Sequence, residues 1–485
     1  MTTMVPPAPA CSRCSTLESE LAELRAQNAQ LRDQLGMPQK PKGGAANGEE
    51  EDEKESLSET LSFSPFSRVE LQRYGRQMLV KEFGAKAQLK LRAASVLLIG
   101  VGGLGSPAAM YLAAMGVGTL GIVDDDHVDR SNLHRQVLHD EQGARGREKK
   151  VASARKRLLG LNPLAQCVVY PTRFTAANAL ELVGDYDVVV DASDNIGTRY
   201  LVNDVCARLH KPLVSGSALG LEGQVTVFTY QDDENAAGCY RCLYPTPPRV
   251  ARSCAENGVI GVVPGVIGCL QAMETVKIIT GMGEPLVGAQ CFYDAYDGQF
   301  RRLKIGKKRN PECLSCGGHT KDHKIVALDT SLLVEGGCAD GAEIIEDLGP
   351  EFRISAEEFA KVRKAALAGD ERSVVRDRYA LLDTRARTQF EMVHFPEAVN
   401  IPTAQLMKQD PTQVIESLQG EATSPTADQR PLDAKRTFVI CRRGVDSVKV
   451  TRWLIDHGVQ HVFSINGGYT EYAKEGGVDP TFPMY

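Results

Sequence analysis

The sequence predicts an α/β protein whose first folded part is a doubly wound, Rossmann-like domain. Three observations carry that prediction. From Phe66 onward, short apolar runs alternate with stretches of helical length. The loop Gly100-Val101-Gly102-Gly103-Leu104-Gly105 stands between one such run and a helix. Asp124 ends the next run roughly twenty residues later, where an acidic side chain can hold a ribose hydroxyl. Alternating strand and helix signals predict a parallel sheet covered by helices on both faces. A glycine loop opening a helix lets the backbone approach phosphate oxygens.

In order, Ser95–Ile99 reads as a buried strand, 107–115 as a helix, Thr119–Val123 as a strand, 149–161 as a helix and Val188–Asp191 as another strand, the strands from short apolar runs with β-branched residues and the helices from their greater length. Ahead of them, Leu17, Leu21, Leu24, Asn28, Leu31 and Leu35 recur at spacings of four and three. Such a short heptad pattern fits a coiled-coil-like helix or a frayed amphipathic one. The lone pair Cys11 and Cys14 beside it is assigned neither metal nor redox chemistry. Residues 38–62, rich in Gly, Glu, Lys and Ser, read as a disordered linker.

Near the other end, 437–440 reads as a buried strand and 447–457 as a helix, joined by Cys441-Arg442-Arg443-Gly444-Val445-Asp446. Such a loop wraps backbone N–H groups around the Cys441 sulfur, and the helix N-terminus and flanking arginines favour an anionic sulfur. The competing assignment is a cysteine serving as a small core hydrophobe.

At 485 residues the chain accommodates two domains and an arm. Fifty-six basic and 62 acidic residues leave a net charge of -6, which argues against a dedicated nucleic-acid surface. Residues 1–30 lack a basic segment followed by an apolar run, and no stretch reads as the ~18 to 20 apolar residues that span a bilayer, so a cytosolic protein without a membrane partner is expected. Its 13 cysteines then suit reduced, metal-bound or catalytic roles. Cys239-Tyr240-Arg241-Cys242 and Cys313-Leu314-Ser315-Cys316 each offer two thiolates from one turn, together enough for a closed Zn²⁺ site; free or redox-paired thiols are the alternative. Cys167, Cys206, Cys269, Cys291 and Cys338 have no partner spacing and read as core or incidental.

The glycine loop and Asp124 alone suit an NAD-dependent oxidoreductase as well as an ATP enzyme. The segment from Asp124 to Gln136, with Arg73-Tyr74-Gly75-Arg76-Gln77, Asp191-Ala192-Ser193-Asp194-Asn195 and residues 216–224, resembles the ubiquitin-activating family and its bacterial sulfur-carrier-activating relatives. That resemblance implies adenylation of a protein's C-terminal glycine with ATP and Mg²⁺. Carried over residue by residue, it implies a nucleotide site of Gly102, Gly103, Gly105, Asp124, Ser131, Asn132, Leu133, His134, Arg135, Lys150, Asp194 and Asn195. Arg135 and Lys150 would meet the triphosphate, with Lys149 as the alternative to Lys150. Asp194 would bind Mg²⁺, and Arg76 would reach the partner subunit's phosphates in a homodimer. The resemblance joins the two CxxC pairs through zinc and marks Cys254 as a thiol able to take the acyl group or resolve an acyl disulfide.

Residues 379–385, with Asp383 and Arg385, the segment His394 to Pro402, and Ile465-Asn466-Gly467-Gly468-Tyr469 resemble a rhodanese domain, in which Cys441 would carry a persulfide. The implied organisation is an arm and linker (1–62), an adenylyltransferase domain (63–322), a second linker (323–351) and a rhodanese-like sulfurtransferase domain (352–485). Together the two resemblances point to the eukaryotic two-domain adenylyltransferase and sulfurtransferase family. They imply a ubiquitin-like sulfur-carrier partner ending in Gly-Gly, either a ubiquitin-related modifier or the small molybdopterin-synthase subunit. A cysteine desulfurase or other persulfide donor would supply sulfur. The carrier would become a thiocarboxylate serving tRNA wobble-uridine 2-thiolation and molybdopterin synthesis. The rival assignments are a non-catalytic carrier-binding scaffold and the oxidoreductase.

Overall fold

A computed structural model describes residues 64–231, 237–247, 258–306, 309–317, 348–367, 379–410, 414, 436–474, 477–479 and 482–483. The heptad segment, both linkers apart from a few residues at the end of the second, and Cys11, Cys14, Cys254 and Cys338 lie outside them.

The first sheet contains β1 (Ser95–Ile99), β2 (Thr119–Val123), β3 (Gln166–Tyr170), β4 (Val188–Asp191), β5 (Leu213–Leu219), β6 (Glu222–Phe228), β7 (Ala289–Asp294) and β8 (Gln299–Lys304). Their order is β3-β2-β1-β4-β5-β6-β7-β8. The first five are parallel, as the alternation predicts. The remaining three, for which the sequence pattern offers no reading, extend the sheet with antiparallel pairing. For β5–β6 and β7–β8 the physical reason is chain length: the chain passes through Gly220 and Leu221 alone in the first case and through residues 295–298 in the second, and a parallel return needs a crossover of a dozen or more residues. Gly220 takes φ +60°, the left-handed backbone that such a tight turn uses.

β1 and β4 are buried on both faces through Val96, Leu97, Leu98, Val188, Val189 and Val190, so the sequence reads as unbroken apolar runs. One face packs on helices Gly105–Met115 and Val262–Thr280, the other on Ala179–Gly184 and Ile196–Leu209. Gly268 allows the first two helices to approach, since a Cβ there would run into the Leu104 carbonyl. Val262–Thr280 also corrects the expectation that no stretch is long and apolar enough to cross a membrane. Its apolar residues Val263, Ile267, Ala272 and Val276 pack in the core beneath the sheet, which accounts for that composition.

The second sheet runs β11-β10-β12-β13-β9, all parallel, from β9 (Arg353–Ile354), β10 (Tyr379–Asp383), β11 (Val399–Asn400), β12 (Arg436–Ile440) and β13 (Val462–Ile465). Phe359, Phe395 and Phe438 are fully buried on one face, with the Phe359 and Phe438 rings 5.2 Å apart. Leu382, Val439, Val450 and Leu454 fill the other face. Helix Asp446–Asp456 follows β12, one residue earlier than the sequence pattern suggests.

Candidate functional site

In the first sheet the chain leaves β1 toward β2 on one side and returns to β4 on the other, which opens a crevice at the strands' C-terminal ends. A cleft of about 280 Å³ lies there, lined by Gly100, Gly102, Gly103, Asp124, Arg135, Gln136, Lys150, Asp194 and Asn195 among others. Gly100 has φ +88°, and a Cβ on it would press into the Ala192 carbonyl. A Cβ on Gly105 would strike the Gly100 carbonyl, so the last glycine lets the helix close against the loop without lining the cleft.

The loop is braced from below. Asp124 Oδ2 accepts from Val101 N–H at 3.0 Å, and its Oδ1 accepts from Asp126 N–H at 3.0 Å. Both oxygens therefore hold the backbone, in addition to any ribose contact expected of Asp124. Burial pushes the Asp124 carboxyl up from its ordinary value, against the opposing charge of Lys150. His139, a residue the sequence patterns did not single out, places Nε2 3.0 Å from the Val101 carbonyl and Nδ1 3.0 Å from Ser153 Oγ. A carbonyl only accepts, so Nε2 carries the proton and Nδ1 accepts from the serine. Burial holds this imidazole below its usual pKa.

The structure separates the two neighbouring lysines. Lys150 is 5% exposed, lines the cleft and donates to Asp126 Oδ2 at 2.8 Å. Lys149 precedes the helix and donates to the Asp125 carbonyl at 2.6 Å, outside the cleft-lining set. Ser131, Asn132, Leu133 and His134 are also outside that set. Asp129 Oδ1 accepts from Ser131 N–H at 2.8 Å and from its hydroxyl at 2.6 Å. The Asn132 carbonyl accepts from the N–H groups of Arg135 and Gln136, both at 3.0 Å, and so presents those two side chains to the cleft. Gln136 is 5% exposed with Oε1 unpartnered. It closes the segment from Asp124 that carries the resemblance, but no role is assigned to it there.

After β4 the chain makes a locked turn. Asp191 is fully buried; Oδ1 accepts from Ser193 N–H at 3.1 Å and Ser193 Oγ at 2.6 Å, and Oδ2 accepts from Ser215 Oγ at 3.2 Å. Arg199 Nε lies 3.3 Å from the same Oδ2, while its Nη2 donates to the Gly216 carbonyl at 2.8 Å and the Ser193 carbonyl at 3.3 Å. Asp194 is thereby left exposed on the cleft wall. Asn195 caps helix Ile196–Leu209, its Oδ1 accepting from Thr198 N–H at 2.8 Å. Arg76 is exposed on helix Arg68–Met78 and does not line this cleft.

Cys239, Cys242, Cys313 and Cys316 converge, with sulfurs 3.9 Å apart for the first pair, 3.5 Å for Cys239 and Cys313, and 3.3 Å for Cys242 and Cys316. All four lie within 4.8 Å of one another and could hold a metal ion. A tetrahedral ion with bonds of about 2.3 Å needs sulfurs about 3.8 Å apart, so the donor set fits. Arg241, between the first two cysteines, forms an ion pair of 2.7 Å with Asp204 and ties the turn to helix Ile196–Leu209.

In the second sheet Cys441 directly follows β12 and is 2% exposed. Gly444 N–H donates to its sulfur at 3.1 Å, and Gly444 has φ +83°. The Gly467-Gly468 turn clamps the loop: Tyr469 N–H donates to the Cys441 carbonyl at 3.0 Å and Thr470 N–H to the Arg442 carbonyl at 2.9 Å. A Cβ on Gly468 would strike the Cys441 carbonyl. Asp383 and Arg385 form a buried ion pair of 2.5 Å, with the guanidinium 3.9 Å from the Tyr469 ring centre. Asn400 Nδ2 donates to the carbonyls of both residues, at 3.0 and 2.9 Å. These motif residues brace the end of β10 and the clamping turn.

A glycine-loop cleft lined by Arg135 and Lys150 and a backbone cradle around a cysteine sulfur are together what an adenylating enzyme joined to a sulfurtransferase needs. Residues 74–315 match the ThiF family and residues 366–475 the rhodanese-like domain. The adenylyltransferase and sulfurtransferase MOCS3 of Drosophila virilis is 36% identical over 97% of this chain and 98% of its own length. MOCS3-1 of Zea mays, with the same descriptive name, is 40% identical over 85% of this chain and 83% of its own length. A crystal structure of E. coli MccB with succinimide aligns at TM-score 0.43 and 23% identity over 51% of this chain and 74% of that one. The chain belongs to the adenylyltransferase and sulfurtransferase MOCS3 family. It is an ATP-dependent adenylyltransferase and a sulfurtransferase.

Proposed function

We propose that this enzyme adenylates the C-terminal glycine of a ubiquitin-like sulfur-carrier protein and converts it to a thiocarboxylate with sulfur carried on Cys441. The observation that carries the reading is the presence in one chain of a cleft with a glycine loop, Arg135, Lys150 and Asp194, and of a separate backbone cradle around a cysteine sulfur. A carboxylate attacking an anionic α-phosphate meets repulsion that cations must offset. Arg135 and Lys150 are suited to the triphosphate, and Asp194, held out by the locked turn, to Mg²⁺. Mg²⁺ bound there would neutralise charge on the departing pyrophosphate.

Arg76, exposed and outside its own cleft, is assigned to the partner subunit's phosphates in a homodimer; its planar fork grips phosphate oxygens. Cys239, Cys242, Cys313 and Cys316 hold structural Zn²⁺ in this reading. Sulfur comes from a persulfide donor such as a cysteine desulfurase. The Cys441 persulfide attacks the acyl-adenylate carbonyl, AMP leaves, and a thiol, for which Cys254 is the candidate, cleaves the acyl disulfide. The carriers are a ubiquitin-related modifier and the small molybdopterin-synthase subunit, the pathways are tRNA 2-thiolation and molybdopterin synthesis, and the setting is the cytosol.

The test is Cys441→Ser. Carrier-dependent ATP–pyrophosphate exchange should persist while the carrier's intact mass shows no thiocarboxylate, because a hydroxyl cannot carry sulfane sulfur. Thiocarboxylate at the parent rate from a physiological persulfide donor would overturn the reading.

A further inference from the structure

Two hydroxyls are buried beside the Cys441 sulfur with no apolar reason to be there. Ser447 is the second residue of helix Asp446–Asp456, and Ser464 lies in β13 between Phe463 and Ile465; both are 0% exposed. Ser464 stands in register with Val439, two residues before Cys441 on the adjoining strand. Its hydroxyl donates to Ser447 Oγ at 2.9 Å, and Ser447 Oγ is 3.5 Å from Cys441 Sγ. A buried hydroxyl costs stability unless it is bonded, and here each hydroxyl has the next member of one chain as partner.

The chain has a direction. A serine hydroxyl carries one proton and two acceptor lone pairs. The Ser464 proton occupies a lone pair of Ser447. With a neutral thiol, Cys441 S–H donates to Ser447 Oγ. Once the sulfur is ionised, Ser447 can turn its own proton to it, while Ser464 polarises that hydroxyl from behind.

We propose that Ser464 is a positioning residue for sulfur transfer, fixing the Ser447 hydroxyl so that its proton is presented to the Cys441 thiolate. The proposal rests on Cys441 being the persulfide carrier. The thiolate is the form that takes sulfur from a persulfide donor: its electron pair attacks the donor's terminal sulfur, the donor's S–S bond breaks, and the donor leaves as a thiolate. One S–S bond forms as one is lost, so no oxidant or reductant is consumed. Afterwards Sγ is an uncharged inner sulfur, so the hydroxyl bond favours the attacking state over the loaded one.

The experiment is alkylation of the full chain by iodoacetamide, followed at the Cys441 peptide by mass spectrometry, for the parent, Ser464→Ala, Ser447→Ala and Ser464→Thr. Removing a hydrogen bond to an anion should slow Ser447→Ala about tenfold near pH 6.5, and Ser464→Ala by about threefold or more. Ser464→Thr, which keeps the hydroxyl, should return toward the parent rate. At higher pH, formation of the anion depends less on that hydrogen bond, so the four rates should draw together near pH 10. The charged groups on the elements packed about this pair are unchanged in every variant: Arg442 and Arg443 on the loop, Asp446, Lys449 and Arg452 on its helix, Arg353 in β9 opposite Ser464, Glu471 after the Gly467-Gly468 turn, and the Asp383 and Arg385 pair at the end of β10. Parent-like alkylation of Ser464→Ala near pH 6.5, or an equal slowing at both pH values, would overturn the proposal. Alkylation does not require sulfur transfer, so failure of the Cys441 persulfide assignment would show separately in the Cys441→Ser experiment.

Discussion

Arg199→Met would test whether the buried ion pair beneath the adenylation cleft holds Asp194 in place. Methionine keeps much of the arginine stem but removes the charge and every donor. Asp191, with a side-chain exposure of 0%, would lose a cation 3.3 Å away whose own side chain is only 12% exposed. Removing one partner of a buried pair costs about 3–5 kcal/mol. Asp191 would keep Ser193 N–H, Ser193 Oγ and Ser215 Oγ as donors, which places the cost near the lower end, about 3 kcal/mol. For a domain of this size each kcal/mol moves Tm by about 2–4 °C, so a fall of about 6–12 °C is expected by thermal denaturation.

Function should fall as well. The Ser193 and Gly216 carbonyls would lose the guanidinium that ties them together, and the turn bearing Asp194 would loosen. Carrier-dependent pyrophosphate exchange should drop by about tenfold or more, because small misplacements of a catalytic group are costly. The double variant Asp191→Asn/Arg199→Met removes the unpaired charge and should recover most of the Tm loss without recovering exchange. A Tm within about 2 °C of the parent with exchange unchanged in Arg199→Met would refute the reasoning.

Cys239→Ser should lower zinc content by elemental analysis and lower Tm, since a structural zinc contributes its binding energy to folding; full zinc occupancy would exclude the four-thiol site. His139, held below its usual pKa by burial, stays neutral in the fold while the unfolded chain takes up a proton as pH falls through about 6.5. Its contribution to stability is therefore present above that pH and lost through the window down to the depressed folded value. The Tm of His139→Gln should be lower at pH 7 yet decline less between about pH 7 and pH 5 than the parent's, and an equal decline would rule the linkage out. Arg76→Ala and Asp194→Ala should each be inactive in pyrophosphate exchange but regain activity when mixed as heterodimers with one intact composite site. No recovery despite demonstrated subunit exchange would place Arg76 outside the partner's site.

Much of the architecture was legible because it depends on local chemistry. β1, β2 and β4 read directly from apolar runs, since strands buried on both faces need apolar side chains at every position. The glycine loop, the two CxxC pairs and the Cys441 loop depend on residue spacing, which the chain displays openly. The antiparallel edge of the first sheet was not read: β6 turns back from β5 through Gly220 and Leu221, and β7 joins β6 only after residues 229–288. The apolar helix Val262–Thr280 was not singled out at all, since its composition has meaning only against the sheet above it.

Where neighbouring side chains point was decided by tertiary structure, even where, as for Lys150, the resemblance had already favoured one of them. Lys149 and Lys150 are the same residue type in sequence, yet the start of their helix turns one to the Asp125 carbonyl and the other into the cleft. Ser131 and Asn132 build the turn that presents Arg135 and Gln136. His139, Arg199 and Ser464 carry no motif; they matter through Val101, Ser193 and Ser447, each brought near by folding. Motifs record the residues a reacting group must meet, whereas the groups that hold those residues still can come from any element that passes within about 3 Å, the reach of a hydrogen bond.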